Sequence, residues 1–165
     1  MRHRMVLSMV VLFALASPVF GQQQEGDTEL QLQGSLRLAT SSDFEHSGGA
    51  NVTYGRFVTD RQEWGVTATA TFTEDGDLGG TAGPFYRYNF GTGETVPFVG
   101  AAAVASFGDD SFGDNALLSA EGGVRFFLDR NRAFTVTGQT FYSIEESEFA
   151  DSLNVLFGFS VFWSK

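Results

Sequence analysis

The sequence predicts an all-β protein, an eight-stranded antiparallel up-and-down β-barrel preceded by a signal peptide. Three observations predict this fold. Apolar and polar residues alternate along most of the chain after residue 21, the connections between the alternating segments are short and long in turn, and the same region lacks a helical apolar period. Alternation with a period of two is typical of strands that have one apolar face.

The first 21 residues have the composition of a signal peptide. A basic start at Arg2 and Arg4 precedes an apolar run at 5–16, and small or compact residues end the segment. The apolar run is too short to span a membrane as a helix. We therefore expect export, with residues 1–21 removed and residues 22–165 forming one barrel domain.

Composition excludes several classes of protein. The chain has 20 acidic and 10 basic residues, a net charge of −10, which argues against nucleic acid as a partner. It has no cysteine, so it is not a disulfide-stabilised secreted scaffold. Stability must come from strand pairing and packing.

Alternation places eight strands along the chain. The last shows the pattern most clearly, since every second residue from Leu153 to Trp163 is apolar. The predicted strands span residues 28–39, 50–58, 62–72, 82–90, 96–106, 116–128, 133–142 and 152–163.

The connections between these strands differ in length according to their position. Three are tight, near 59–61, 91–95 and 129–131, and they alternate with longer ones near 40–49, 73–81, 107–115 and 143–151. In an up-and-down barrel, alternate connections lie at the same end. Long loops at one end and tight turns at the other are typical of outer-membrane barrels, whose long loops are extracellular and whose termini are periplasmic.

The longer connections are strongly acidic and contain no lysine or arginine. We expect them to form an acidic extracellular rim. Its predicted members are Glu74, Asp75, Asp77, Asp109, Asp110, Glu145, Glu146 and Glu148.

Three features favour a transmembrane barrel, with apolar side chains outside, over a soluble barrel, with apolar side chains inside. The polar faces carry mid-strand charges, such as Glu121 and Arg125. They are also rich in Thr, Ser and Gly, as the packed lumen of a small barrel requires. Finally, aromatic residues collect near the tight turns, as an interfacial girdle would. The predicted girdle comprises Trp64, Tyr88, Phe98 and Trp163.

Two stretches, VPFVGAAAVASF and EGGVRFFLDRNRAFTV, resemble the outer-membrane β-barrel domain family of small OmpA/OmpX-type and opacity-like barrels. The resemblance covers the whole chain after the signal peptide. It implies a structural, adhesive or surface-protective role, with outer-membrane lipid, lipopolysaccharide and the barrel-assembly machinery as partners. The chain departs from that family in placing Ser164 and Lys165 after its last aromatic residue.

A lumenal ion network is predicted near the tight turns. The segments 56–61 and 125–130 share Arg-Phe, a bulky residue and then Asp-Arg, and Arg87 lies at a similar distance before its own turn. A dry interior charge needs a partner of opposite sign. The predicted members are Arg56, Arg87, Glu121 and Arg125. Because the interior of an eight-stranded barrel is about filled by side chains, we expect a plug and no open diffusion pore.

Two alternative functions remain open. The first is a soluble exported eight-stranded barrel that binds an apolar ligand. The second is a small lipid-modifying outer-membrane enzyme, for which Glu45-His46-Ser47 supplies residue types used in hydrolysis. Adjacent residues in one loop rarely converge on a substrate atom, so the sequence predicts no catalytic residue.

No cofactor or structural metal site is predicted. The acidic run at 74–77 lacks the ligand spacing of an EF-hand loop. We expect at most weak binding of divalent cations along the acidic rim.

Overall fold

The structure is a computed structural model that describes residues 23–39, 47–73, 78–108, 111–144, 148–149 and 152–164. It has seven strands in succession, a two-residue strand and a final long strand. Their bounds are β1 Thr28–Ala39, β2 Ser47–Phe57, β3 Gln62–Thr73, β4 Leu78–Asn89, β5 Thr95–Gly108, β6 Ser111–Asp129, β7 Arg132–Ser143, β8 Glu148–Phe149 and β9 Ser152–Trp163.

The long strands close into an eight-stranded antiparallel barrel, as predicted. Each of β1 to β6 pairs with the next strand, β7 pairs with β9, and β9 pairs with β1. The closing register runs from Thr28 opposite Trp163 to Ala39 opposite Ser152. Closure leaves the long strands without a free edge. Within the described residues, no helix is long and apolar enough to span a membrane.

The three tight turns lie where the sequence predicts them, but the long connections are shorter than predicted. The loop expected at 107–115 is largely a hairpin, since Gly108 pairs with Ser111 and Phe107 with Phe112. Strand β4 begins at Leu78, and β8 lies within the loop expected at 143–151. The ends of these strands and the short strand β8 pair through their backbones. Their sequences do not show a regular alternation of apolar and polar residues, so this pattern could not reveal them.

Side-chain facing is that of a membrane barrel. Outward residues are large, apolar and exposed, as with Leu32 and Val66, each 56% exposed, and Phe159, 58% exposed. Inward residues are polar and buried, as with Gln31 and Ser160, both fully buried. An apolar belt on the outer face of a barrel requires an apolar surrounding.

Candidate functional site

Five charged side chains meet in the half of the lumen nearest the tight turns, and we call them the ion cluster. They come from four strands, β1, β3, β4 and β6. Four of the five are 2% exposed or less, and the fifth, Glu121, is 14% exposed. The members are Glu29, Glu63, Arg87, Glu121 and Arg125.

Both arginines contact the same two carboxylates. Nη2 of Arg125 lies 2.5 Å from Oε2 of Glu29 and 2.8 Å from Oε2 of Glu63. Nη1 of Arg87 lies 3.3 Å from Oε2 of Glu63 and 3.5 Å from Oε2 of Glu29. The Nε of Arg87 donates to Oε1 of Glu121 at 2.8 Å. Charge-assisted bonds of this kind are strong, and here they join distant strands across the lumen.

Neutral side chains complete the surroundings of the two guanidinium groups. Oδ1 of Asn89 accepts from Nη1 of Arg125 at 2.6 Å, and Oε1 of Gln31 accepts from Nη2 of Arg87 at 3.4 Å. The ring of Phe98 lies between the arginines, its centroid 4.5 Å from Cζ of Arg87 and 5.2 Å from Cζ of Arg125. A cation over an aromatic face is stabilised further when both groups are out of water.

Two glycines provide the room for the carboxylates. A Cβ at Gly55 would lie 2.1 Å from Oε1 of Glu63, and a Cβ at Gly100 would lie 2.6 Å from Oε1 of Glu121. Both glycines face inward, beside the cluster. The lumen is therefore shaped around the ionised side chains, which any larger residue at these positions would displace.

Below the ion cluster, toward the tight turns, an apolar plug fills the lumen. It consists of Phe57, Val96, Phe127, Ala133 and Phe162.

The segment before β1 lies across the same end of the barrel. Nε2 of Gln23 donates to the carbonyl oxygens of Asp60 and Gly91, both at 3.2 Å, which ties the segment to two turns. Oγ of Ser164 donates to Oδ1 of Asp27 at 2.5 Å, which ties it to the end of β9.

Above the ion cluster the lumen is filled by hydrogen-bonded polar side chains. Nε2 of Gln33 donates to Oγ1 of Thr137 at 3.0 Å, and Nδ2 of Asn51 donates to Oγ1 of Thr69 at 2.8 Å. A second apolar group, Phe85, Ala102 and Val104, packs on the opposite wall. Side chains therefore occupy the described lumen at every level, as an eight-stranded barrel allows.

The ion cluster contains one more carboxylate than guanidinium groups. Oε1 of Glu29, Oε1 of Glu63 and Nε of Arg125 are buried and have no hydrogen-bond partner. Such atoms cost free energy unless a proton or a water molecule satisfies them. Among the described residues, no group of acidic and histidine side chains has the arrangement of a metal site.

The structure brings together three of the four residues predicted for the lumenal network. Arg87, Glu121 and Arg125 are in the ion cluster, but Arg56 is not, because its side chain is exposed on the outward face of β2, in register with Trp64. Sequence reasoning missed Glu29 and Glu63. Each shares the inward face of its strand with polar residues, a pattern that could have identified both.

Aromatic residues collect on the outer surface near the tight turns, on and beside β9, β2, β3 and β4. Trp64 is 54% exposed and its ring centroid lies 4.8 Å from that of Tyr86. Trp163 lies 6.4 Å from Tyr54, and Tyr88 lies 5.3 Å from Phe90. We call these six residues the aromatic girdle.

Phe98 was expected in the aromatic girdle, and this expectation is wrong. Its side chain is 2% exposed and points into the lumen between Arg87 and Arg125. Gly123 makes that position available, since a Cβ there would lie 2.6 Å from Cζ of Phe98.

Most of the predicted acidic rim falls outside the described residues, as do Glu45, His46 and the signal peptide. Of the eight rim residues, only Glu148 has a described backbone, in β8. The rim residues outside the described part are Glu74, Asp75, Asp77, Asp109, Asp110, Glu145 and Glu146.

The barrel is similar to several solved structures. It matches the N-terminal β-barrel domain of Pseudomonas aeruginosa OprF with a TM-score of 0.67 and 17% identity, covering 86% of this chain and 100% of that one. Neisserial surface protein A matches with a TM-score of 0.64 and 16% identity, covering 86% and 100%. OprG of Pseudomonas aeruginosa matches with a TM-score of 0.61 and 10% identity, covering 88% and 100%.

No family model and no curated protein sequence matches the chain. At identities of 10–17% the structural similarity establishes architecture alone. It agrees with the apolar exterior and the polar, filled lumen. The fold of this chain is therefore that of the small eight-stranded outer-membrane barrels.

Proposed function

We propose that the protein is an outer-membrane β-barrel with a structural or surface-interaction role and a lumen closed to diffusion. The observation that carries this proposal is the ion cluster, which joins β1, β3, β4 and β6 across the lumen directly above the apolar plug. Salt links across the lumen hold opposite walls together. With the apolar plug, they support our proposal that the lumen is closed to hydrophilic solutes.

The position of the chain ends supports the orientation that we propose. Both ends of the described barrel lie at the tight-turn end, where Ser164 contacts Asp27. We place this end in the periplasm and the acidic rim outside the cell, in contact with lipopolysaccharide and weakly bound divalent cations. Neisserial surface protein A, which has a similar fold, is by its name a surface protein. Surface interaction would then reside in the rim, since the lumen is filled.

The alternatives receive less support. A soluble barrel that binds an apolar ligand would need its apolar face inside, whereas Leu32, Val66 and Phe159 are exposed outside. An enzyme would need a converging set of reactive side chains that a substrate can reach, whereas the carboxylates of the ion cluster are paired with Arg87 and Arg125 and lie largely out of solvent.

Purified protein reconstituted into planar bilayers tests the closed lumen. We expect no stepwise conductance, together with different gel migration of the unboiled and boiled protein, since a closed barrel resists detergent until heated. A stable open channel in the folded protein would refute the closed lumen. Recovery of the mature protein in the soluble periplasmic fraction would refute the membrane location.

A further inference from the structure

The outward-facing Arg56 lies in an unusual row of residues. We call it the arginine row. In register across β9, β1, β2 and β3, it consists of Trp163, Thr28, Arg56 and Trp64. The chain has only two tryptophans, and they lie on either side of this arginine. Tryptophan marks the level of lipid headgroups, so Arg56 lies at the membrane interface.

Arg56 has no ion-pair partner among the residues that the structure describes. Its side chain is exposed, whereas the two lumenal arginines are buried among carboxylates. An arginine near the interface is tolerated on a lipid face at little cost. Its guanidinium is therefore free to bind an anion, and the geometry of a phosphate suits it.

An apolar groove lies on three of these strands, β9, β1 and β2, and on β7, farther from the tight turns. It has a volume of about 500 Å³ and its walls include Leu32, Val52 and Phe157. Its floor contains Gly34, where an added Cβ would have no atom within 4 Å. With its small register partner Ala50, this glycine leaves a notch between the larger side chains of Leu32, Val52 and Phe157.

The difference in membrane depth between the arginine row and the notch at Gly34 matches the depth that one acyl chain spans. Thr28 in the row and Gly34 in the notch are six residues apart on β1, which is about 20 Å along a strand. With strands tilted by about 40°, this corresponds to about 15 Å of depth. Half of the hydrocarbon core is about 15 Å thick, so a tail anchored at Arg56 would reach the notch.

We propose that Arg56 and the Gly34 groove form a binding site for one anionic phospholipid, with its phosphate at Arg56 and an acyl chain in the groove. The proposal rests on the proposed membrane location. It gives a role to the one predicted network residue that the barrel holds outside the lumen.

Quenching of tryptophan fluorescence by dibrominated lipids tests the site, since both tryptophans lie in the arginine row. The protein is refolded into vesicles of dibrominated phosphatidylglycerol mixed with phosphatidylcholine, and the relative binding constant is taken from the quenching. We expect about a fivefold preference for the anionic lipid. Arg56→Gln should abolish this preference. Arg130→Gln changes an exposed arginine in a tight turn, outside the arginine row, and should retain it.

The groove has its own matched pair of variants. Gly34→Leu should reduce the preference at least twofold by filling the notch, whereas Gly122→Leu, at an outward glycine on β6, should leave it unchanged. Equal effects of the two arginine variants, or of the two glycine variants, would overturn the site, as would a wild-type protein without preference. If brominated lipids of either class fail to quench the wild-type protein, it has not inserted, and the proposed membrane location itself fails.

Discussion

Arg125 and Glu29 are 96 residues apart in sequence and meet in the lumen, with Nη2 of the arginine 2.5 Å from Oε2 of the carboxylate. Both side chains are fully buried. The pair links β6 to β1, two strands that are not neighbours in the sheet. It therefore connects the walls of the barrel in a direction that the backbone ladder does not.

Removing Arg125 should strongly destabilise the barrel. Arg125→Ala leaves Glu29 and Glu63 partly uncompensated in a dry lumen, and breaking a buried ion pair in this way costs about 3–5 kcal/mol. The free energy of unfolding, measured by urea titration in detergent or vesicles, should fall by that amount. Arg132→Ala breaks the exposed pair with Asp129 and should change little. Equal effects of the two variants would contradict the role of the ion cluster.

Removing the carboxylate of Glu29 should be tolerated much better than removing one arginine. Glu29→Gln leaves two carboxylates facing two guanidinium groups and keeps an amide oxygen beside Arg125. We expect the free energy of unfolding at neutral pH to stay within about 1 kcal/mol of the wild type, or to rise, since a buried charge without a full partner is removed. As a control, Glu121→Gln takes the partner from Nε of Arg87 and should be destabilising. The reverse order of these two effects would contradict the excess of negative charge.

A charge placed on the lipid face should be costly. Phe157→Arg or Val124→Arg puts a guanidinium on the outward apolar belt, which costs about 2–4 kcal/mol near mid-membrane. Phe157→Leu is the matched control and should cost less, since it stays apolar. Spin labels at 124 and 157 should report lipid. A label at 69, where Thr69 is hydrogen-bonded to Asn51 inside the lumen, should not.

Neutralising part of the acidic rim should weaken cation binding without affecting assembly. The rim residues Glu145, Glu146 and Glu148 share the connection 143–151 with Asp151. Changing these four residues to their amides removes four carboxylates, whose attraction extends about 8 Å at physiological salt. Calcium titration by calorimetry should show weaker, salt-sensitive binding, and heat-modifiable gel migration should remain. Loss of folded protein would mean that these residues are structural, and a single tight site would mean that the loops form a specific cage.

The barrel could be predicted because alternation fixes which residues share a face. Alternation did not show which residues before each turn face the lumen and which face outward. Arg56-Phe57 and Arg125-Phe126 repeat the same local motif, yet Phe57 points inward in β2 and Arg125 points inward in β6. A shift of one residue exchanges the two faces, so similar sequences before the turns gave opposite outcomes.

Phe98 shows a second feature that could not be predicted from the sequence, namely a contact between neighbouring strands. Its position near a tight turn suggested the aromatic girdle, but the space that accepts its ring inside the lumen is provided by Gly123 on the next strand. The ion cluster shows the same limit of sequence-based prediction. Glu63 lies opposite Arg87 on the neighbouring strand, and Glu29 meets Arg125 from a strand that is not its neighbour in the sheet. Contacts of this kind depend on the register of pairing between strands, which a single sequence does not display.

The arrangement of the ion cluster also constrains how the chain folds. Glu29 and Glu63 belong to the first half of the barrel, and Arg125 is supplied only when β6 has formed. A partial sheet of the first three strands would hold two carboxylates without either arginine. We therefore expect folding intermediates to keep this lumen wet and to gain little stability until the ring closes, so that the barrel forms cooperatively and slowly, as high contact order dictates.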